Sequence, residues 1–201
     1  MGAVQLVVIG SSWGGLEALG RVLGLLPADF EPPLAIAQHR TSDLAGDGLA
    51  SSLAAVSPLP VREVDDKDEL RPGTVYVAPA DYHLMIERSH FELSVDAPVA
   101  YSRPSIDVLF ESAADALADR VIGVLLTGAN ADGAAGLARI KHRGGYAIVQ
   151  DPATADGRAM PLAGIASAPV DVVLPLDQIA GHLVDLARRR RRTAGLRTLR
   201  H

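Results

Sequence analysis

The chain has 201 residues and a formal net charge of −5 at neutral pH, and 48% of its residues are apolar while 21% are charged. This length and balance predict one globular domain with a substantial core, and they exclude a disordered chain. The absence of cysteine excludes disulfides, a thiolate nucleophile and cysteine-ligated metals. The negative charge argues against nucleic acid as a partner, because phosphate neutralisation needs a basic face.

Short apolar runs rich in β-branched residues predict six strands, at residues 5–9, 34–38, 74–78, 122–126, 147–150 and 172–174. Several runs are apolar throughout, as expected for parallel strands that are covered on both faces. Between them, helix-like segments lie at residues 16–26, 48–56, 105–118, 133–142, 163–168 and 176–190. This alternation predicts an α/β fold, with a doubly wound, mostly parallel sheet and helices on both faces.

Two further features complete the predicted organisation. Short runs at 83–88 and 90–95 predict an antiparallel hairpin on the edge of the sheet. Residues 1–190 are assigned to one domain and residues 191–201 to a basic C-terminal tail, and the arginine run at 188–192 is interpreted as the solvated end of the last helix.

The sequence also predicts a location. No apolar run approaches the roughly 20 residues of a membrane span. The apolar stretch at 4–9 is too short for a signal peptide and has no basic segment before it. We therefore expect a cytoplasmic protein without membrane insertion.

Polar residues directly follow three of the predicted strands. Ser12 follows the first strand, His39 the second and Asp132 the fourth. In doubly wound sheets, chemistry collects beyond the carboxyl ends of the strands, so these side chains can converge. A serine on a strand-to-helix turn has unpaired N–H groups beside it, a histidine can take its proton, and a carboxylate can orient that histidine. The residues are compatible with a catalytic triad, in a chain order that differs from that of the α/β-hydrolase fold.

The glycine-rich loop at residues 10–15 also has the position of a nucleotide-binding loop. The dinucleotide fingerprint G-x-G-x-x-G is absent, since Ser12 stands where the second glycine would be. A Walker-type phosphate loop needs a lysine, and none is near. A phosphoacceptor site needs acids at the end of the first strand, where this chain has two serines. These residues exclude all three interpretations.

Other polar residues receive structural interpretations. His83 is interpreted as an edge histidine with a structural hydrogen bond, Asp151 as the cap of a turn, and Asp107 as part of a solvated or capping helix face. A metal site at His39, Asp81 and His83 lacks the spacing of known zinc motifs, so we expect no metal.

Six segments, taken in chain order, resemble motifs of the chemotaxis protein-glutamate methylesterases of the CheB type. They are VIGSSWGG (8–15), AQH (37–39), VYVAPADYHL (75–84), RPSIDVLF (103–110), LTGANADG (126–133), and QDPATA with a following MP (150–155 and 160–161). The resemblance covers nearly the whole chain, from about residue 6 to about residue 176. It implies hydrolysis of methylated glutamates on methyl-accepting chemotaxis receptors with release of methanol, deamidation of some glutamines, and no cofactor.

The resemblance also implies a role for individual residues. Ser12 would be the nucleophile, His39 the general base and then acid, and Asp132 the residue that orients it. Ser11 aligns with an alanine of the family, which favours Ser12 over Ser11 as the nucleophile. The positions implied for oxyanion stabilisation and substrate lining are Trp13, Gly14 and Ala129.

Two departures from the family pattern leave alternatives open. Trp13 stands where the family usually has threonine, and Ala129-Asn130 replaces Met-Gly. The alternatives are an esterase with a different substrate and a receptor-signalling module without turnover. Family members often carry a receiver domain before the esterase, so we expect either regulation by a separate response regulator or a domain cut from a longer chain.

Overall fold

The computed structural model describes residues 3–39 and 48–198, and these residues form nine strands. The strands are β1 (Leu6–Ser11), β2 (Leu34–Gln38), β3 (Val61–Glu63), β4 (Val75–Val77), β5 (His83–Glu87), β6 (His90–Ser94), β7 (Val121–Leu125), β8 (Tyr146–Gln150) and β9 (Val172–Leu174). Seven of them form a parallel sheet in the order β3-β4-β2-β1-β7-β8-β9. β5 and β6 pair with each other in a separate antiparallel sheet.

The described helices cover both faces of the parallel sheet. They are α1 (Gly15–Gly24), α2 (Gly48–Ala54), α3 (Ile106–Leu117), α4 (Ala134–His142), α5 (Ala159–Ser167) and α6 (Leu176–Thr198). Side chains alternate along β1, so that Val7 and Ile9 pack with α1, α2 and α6, while Leu6 and Val8 pack with α3, α4 and the hairpin. Both cores are made largely of aliphatic side chains, and the predicted doubly wound α/β fold is confirmed.

The strand order shows where a ligand-binding crevice is expected. β1 lies at the centre, with strands that follow it early in the chain on one side and β7, β8 and β9 on the other. The direction of winding therefore reverses between β1 and β7. In sheets of this kind, the crevice at such a reversal, beyond the carboxyl ends of the strands, is where ligands bind.

Some elements differ from the sequence-based expectations. The hairpin forms as predicted, but it is tied to α3 instead of the sheet edge, and the Ile86 amide donates to the Ser112 hydroxyl at 3.1 Å. The two edges of the sheet are β9 and β3, and β3 is a three-residue strand that the sequence did not predict. It is partly buried and contains one apolar residue, Val61, so no apolar run marks it.

The last helix continues further than predicted. α6 runs to Thr198, so residues 191–198 of the predicted tail belong to it, and residues 199–201 lie outside the described ranges. Arg190, expected on a solvated helix end, is buried: its guanidinium donates to the Asp119 carbonyl at 2.7 Å and lies 5.7 Å from the Tyr146 ring centre. None of the helices in the described part of the chain is both long and apolar enough to cross a bilayer.

Candidate active site

Ser12 lies at the turn between β1 and α1, beside the reversal of the sheet. Its backbone N–H donates to the Thr127 carbonyl at 2.9 Å, which joins the ends of β1 and β7, and its own carbonyl accepts from the Gly15 N–H at 2.9 Å. The side chain is partly buried, and its hydroxyl makes no hydrogen bond to another described residue. Ser12 is therefore held by its backbone, while its hydroxyl has no partner among residues 3–39 and 48–198.

Ser11 has a different environment from Ser12. It is fully buried, and its hydroxyl donates to the side-chain oxygen of Gln38. The Gln38 amide nitrogen in turn donates to the carbonyls of Ser12 and His39, at 2.8 and 3.0 Å. Gln38 thus ties the turn after β1 to the end of β2, and Ser11 fixes which way its amide points.

The turn at Gly14 requires glycine for two reasons. Its φ of 75° lies in the left-handed region, and the Asp156 carboxylate fills the space that a Cβ would occupy. The neighbouring Trp13 side chain is 69% exposed, while its carbonyl accepts from the Thr127 hydroxyl at 2.8 Å. The Trp13 side chain is therefore largely in contact with solvent.

Three backbone N–H groups near Ser12 could stabilise negative charge. Among the described residues, the N–H groups of Trp13, Gly14 and Ala129 have no hydrogen-bond acceptor. Two of them lie at the N-terminus of α1, where aligned peptide dipoles favour negative charge.

His39 and Asp132 meet at this edge of the sheet. His39 Nε2 lies 2.6 Å from Asp132 Oδ2, with the His39 side chain 11% exposed and that of Asp132 fully buried. An ionised carboxylate accepts only, so Nε2 carries the proton and Nδ1 is the unprotonated nitrogen of the neutral ring. The nitrogen available as a base is therefore Nδ1.

The Asp132 carboxylate is bound by the first turn of α3. It accepts from the backbone N–H groups of Ile106 and Asp107, at 2.7 and 3.0 Å, and from the Ser105 hydroxyl at 2.9 Å. Burial alone would raise the pKa of Asp132, but the hydrogen bonds from His39 and from these backbone groups outweigh it and hold the pKa below its usual value. The carboxylate is therefore ionised at neutral pH and keeps the His39 ring oriented.

His83 supports this arrangement from behind. It is 2% exposed, its Nδ1 accepts the Ser105 N–H at 3.2 Å, and its Nε2 donates to the Ala97 carbonyl at 3.2 Å. The structural interpretation of His83 agrees with these contacts. The residue it holds, Ser105, is the one whose hydroxyl binds Asp132.

The registration of β1 and β2 places Ser12 next to His39. Ser11 and Gln38 are partners across the two strands, and the His39 N–H donates to the Ser11 carbonyl at 3.1 Å. Ser12 and His39 each directly follow this pair of residues, at the carboxyl ends of two adjacent strands. Adjacent strands lie about 4.8 Å apart in a sheet. Within the described ranges, no hydrogen bond joins the Ser12 hydroxyl to the imidazole of His39.

A second hydroxyl lies near His39. Ser102 Oγ is 3.4 Å from His39 Nδ1, and Ser102 closes a tight turn in which Val99 and Ser102 exchange two backbone hydrogen bonds. The central residues, Ala100 and Tyr101, have φ values of 48° and 63°. Turns of this shape favour Asn-Gly, and each non-glycine residue in the left-handed region costs about 1–2 kcal/mol.

The remaining candidates have structural roles. The Asp151 carboxylate accepts from the Ala153 N–H at 2.8 Å and caps a short 3-10 turn, as predicted. Asp107 caps the start of α4 by accepting the Gly136 N–H at 2.7 Å. Burial raises the pKa of Asp107 to about 6.

Sequence reasoning missed three residues of the site, Gln38, Ser102 and Ser105. Gln38 directly precedes His39 in the AQH segment, and that position was its only signal. Ser105 precedes a helix, where a serine predicts an N-cap, and it does cap α3 through the Val108 N–H at 3.5 Å. Its contact with Asp132, 27 residues away, has no local signal.

One group of side chains in the described part of the chain has the proximity that a metal site needs. It consists of Glu87, His90 and Glu92 on the β5–β6 hairpin, and Lys67 is paired with Glu92 there. His39, Asp81 and His83 do not form such a group among the described residues.

The geometry combines a partly buried serine, an imidazole fixed by a buried carboxylate, and N–H groups at a helix N-terminus that have no acceptor in the described part of the chain. This combination, at the reversal of a doubly wound sheet, is typical of hydrolases that work through a serine.

Comparison with known proteins agrees with this class. The family model described as CheB methylesterase matches residues 7–183. A relative from Leptospira interrogans is 45% identical over 177 residues, covering 88% of this chain and 91% of that protein. A protein-glutamate methylesterase/protein-glutamine glutaminase from Anaeromyxobacter dehalogenans is 45% identical over 185 residues, covering 92% of this chain and 54% of that protein.

A solved structure also matches. The crystal structure of the Thermotoga maritima CheB methylesterase catalytic domain superposes with a TM-score of 0.88 at 34% identity, covering 92% of this chain and 99% of that one. The chain therefore belongs to the CheB methylesterase family, and the family predicted from the six sequence segments is confirmed.

Proposed function

We propose that this protein is a serine hydrolase that demethylates glutamate methyl esters on methyl-accepting chemotaxis receptors through an acyl-enzyme at Ser12. The observation that carries the proposal is the 2.6 Å contact between His39 Nε2 and Asp132, which leaves Nδ1 as a base beside the turn that holds Ser12. Ser12, His39 and Asp132 need no metal or organic cofactor for this chemistry.

The first half of the reaction forms the acyl-enzyme. Ser12 Oγ attacks the ester carbonyl carbon of the glutamate side chain while its proton passes to His39 Nδ1, giving a tetrahedral oxyanion and an imidazolium that Asp132 stabilises. Collapse breaks the bond to the methoxy oxygen, which takes the proton from Nδ1 and leaves as methanol. The Ser12 hydroxyl has to move into hydrogen-bonding distance of Nδ1, as catalytic contacts commonly do when substrate binds.

The second half returns the enzyme to its starting state. A water molecule gives a proton to Nδ1 and attacks the acyl carbon, and the bond to Ser12 Oγ breaks as that oxygen recovers the proton. The product is a free glutamate side chain. With a glutamine in place of the ester, the same steps release ammonia instead of methanol.

The unpaired N–H groups beside Ser12 support stabilisation of the oxyanion. Those of Trp13 and Gly14 lie at the N-terminus of α1, and that of Ala129 lies on the loop that leads to Asp132. Because these donors belong to the backbone, the departures from the family pattern at Trp13 and Ala129 leave them in place.

The substrate assignment rests on the relatives. Those from Carboxydothermus hydrogenoformans and Anaeromyxobacter dehalogenans are named protein-glutamate methylesterase/protein-glutamine glutaminase, and this chain covers 53% and 54% of their lengths. We extend that activity to this chain, with methylated receptors as the substrate, the cytoplasm as its location and a separate response regulator as a candidate regulator.

Methanol release from a methyl-labelled receptor fragment tests the proposal. Ser12→Ala should reduce the rate by about a thousandfold or more, because no other group replaces the attacking oxygen. The matched control is Ser102→Ala, since Ser102 has the only other described hydroxyl near Nδ1. We expect this control to keep its rate within about tenfold of wild type, because Ser102 lacks the helix N-terminus that favours an oxyanion beside Ser12.

The opposite ranking of the two serine variants would make Ser102 the nucleophile and overturn the assignment of Ser12. A wild-type protein that hydrolyses small esters but leaves the labelled receptor untouched would favour an esterase with a different substrate. Thermal melts of both variants establish that each is folded.

A further inference from the structure

The turn at residues 99–102 lies next to the catalytic base and carries an exposed aromatic residue. Ser102, its last residue, has its hydroxyl 3.4 Å from His39 Nδ1. Tyr101 immediately precedes it, and its side chain is fully exposed, at 103% of the reference value. Tyr101 therefore belongs to the turn that forms the rim of the candidate active site beside His39.

Neither local conformation nor packing accounts for a tyrosine at this position. Tyr101 and Ala100 both occupy the left-handed region, which glycine and asparagine adopt at less cost. The ring is not part of either core, whereas Phe30, Tyr76 and Phe110 are at most 4% exposed. A strained residue at a functional site, with a large side chain left in solvent, points to a role in binding.

Arg103, which directly follows the turn, is tied to the loop that precedes it. Arg103 donates through one nitrogen to the carbonyls of Val95 and Asp96, at 2.8 and 3.0 Å, which closes the loop below the turn. Its other terminal nitrogen lies 3.8 Å from an Asp81 oxygen. These contacts of Arg103 close the loop that carries the turn and Tyr101.

A second exposed aromatic residue borders the site. Trp13 directly follows Ser12 and is 69% exposed. The chain is poor in aromatic residues, at 4% of its composition, and two of them are exposed next to candidate catalytic groups. Exposed tyrosine and tryptophan residues supply large contact areas at low entropic cost and dominate the binding energy of many protein interfaces.

We propose that Tyr101 is a specificity-determining residue that contacts the polypeptide carrying the scissile ester. The inference rests on the proposed function and extends it, because it assigns the recognition of a protein substrate to the rim outside the catalytic groups. A polypeptide segment is wider than its ester group, and an α-helix with its side chains, for example, is about 10–12 Å wide. A segment that delivers an ester to Ser12 therefore also covers residues at the rim. A small ester occupies the catalytic groups alone and leaves Tyr101 uncovered.

Two substitutions separate the ring from the turn. Tyr101→Asn removes the ring but tolerates the left-handed conformation, and Tyr101→Phe keeps the ring and removes the hydroxyl. Leu25→Asn is a matched control, because Leu25 is also exposed, at 46%, but follows the far end of α1. Each protein is assayed on a methyl-labelled receptor signalling fragment and on p-nitrophenyl acetate, and KM and kcat are measured separately.

For Tyr101→Asn we expect KM for the receptor fragment to rise about tenfold, with kcat/KM for p-nitrophenyl acetate within about twofold of wild type. Tyr101→Phe and Leu25→Asn should match wild type on both substrates. If Tyr101→Asn matches wild type on the receptor fragment, the inference is overturned while the proposed function stands. An equal loss on both substrates would also overturn it, since the turn would then act on the base. A wild-type protein without activity on the receptor fragment would overturn the proposed function, and the inference with it.

Discussion

Asp107 should destabilise the folded protein at neutral pH, and Asp107→Asn should relieve the effect. The carboxylate is partly buried, and its pKa is raised to about 6, first by burial and then by the charge of Asp132 close by. Its hydrogen bond from the Gly136 N–H needs only an acceptor oxygen. Asparagine supplies that oxygen without a charge, at nearly the same shape.

The pH dependence follows from the direction of the shift. A carboxyl group whose pKa is 3.8 in its ordinary state and about 6 in the folded protein binds its proton more tightly when folded. The free energy of unfolding therefore falls as the pH rises from about 4 to about 6. A fully buried carboxylate would lose about 1.4 kcal/mol per pKa unit, and solvent screening of the partly exposed Asp107 reduces the total to about 1–2 kcal/mol. We expect Asp107→Asn to recover about 1 kcal/mol of this at pH 7, because its amide nitrogen must still find a solvent partner.

Urea unfolding of wild type and variant at pH values between 4 and 7 measures this difference. The gain in stability should be near zero at pH 4 and should grow until pH 7. Asp132 does not interfere, because its lowered pKa adds stability that is lost only as the pH falls below its ordinary value. The control is Asp115→Asn on the same helix, where the exposed carboxylate pairs with Arg139 and its pKa is lowered, so no gain is expected at any pH. A constant loss of stability for Asp107→Asn across the whole range would refute the reasoning.

Two further predictions concern the residues that position the site. Gln38→Leu should lower kcat by about tenfold to a hundredfold, because it removes both hydrogen bonds that tie the serine turn to the histidine. Ser11→Ala should lower kcat by less than about tenfold, since the amide of Gln38 remains. Measurements of kcat together with thermal melts test both variants, and equal effects of the two changes would contradict this ranking. Ser105→Ala should lower kcat about tenfold with KM unchanged, because the Ser105 hydroxyl binds the Asp132 carboxylate and not the substrate. A rise in KM with kcat unchanged would contradict the role of Ser105 in positioning Asp132.

The sequence predicted the inner strands correctly, because burial on both faces requires them to be apolar throughout. Runs such as Leu34–Gln38 are buried on both faces, and such runs are typical of inner parallel strands. β3 was missed because an edge strand with one apolar residue looks like a loop. The hairpin was predicted but placed on the wrong neighbour, because its own pattern does not show what its buried residues, such as Phe91, will pack against.

The sequence could predict only those residues of the site that directly follow strands. Because parallel strands present their carboxyl ends at one edge, the chain order alone brought His39 and Asp132 within reach of each other. The supporting contacts from Gln38, Ser102 and Ser105 depend on side-chain directions and loop shapes that no periodicity records. The choice of Nε2 as the nitrogen that faces Asp132 likewise depends on the ring orientation.

The central claim, that Ser12 is the nucleophile activated by His39, is tested most directly by locating a covalent adduct. A fluorophosphonate reacts with an activated serine, and mass spectrometry of the digested protein identifies the modified residue. We expect the adduct on Ser12, and its loss in His39→Gln. An adduct on Ser102, or labelling of Ser12 that survives the loss of the imidazole, would contradict the claim.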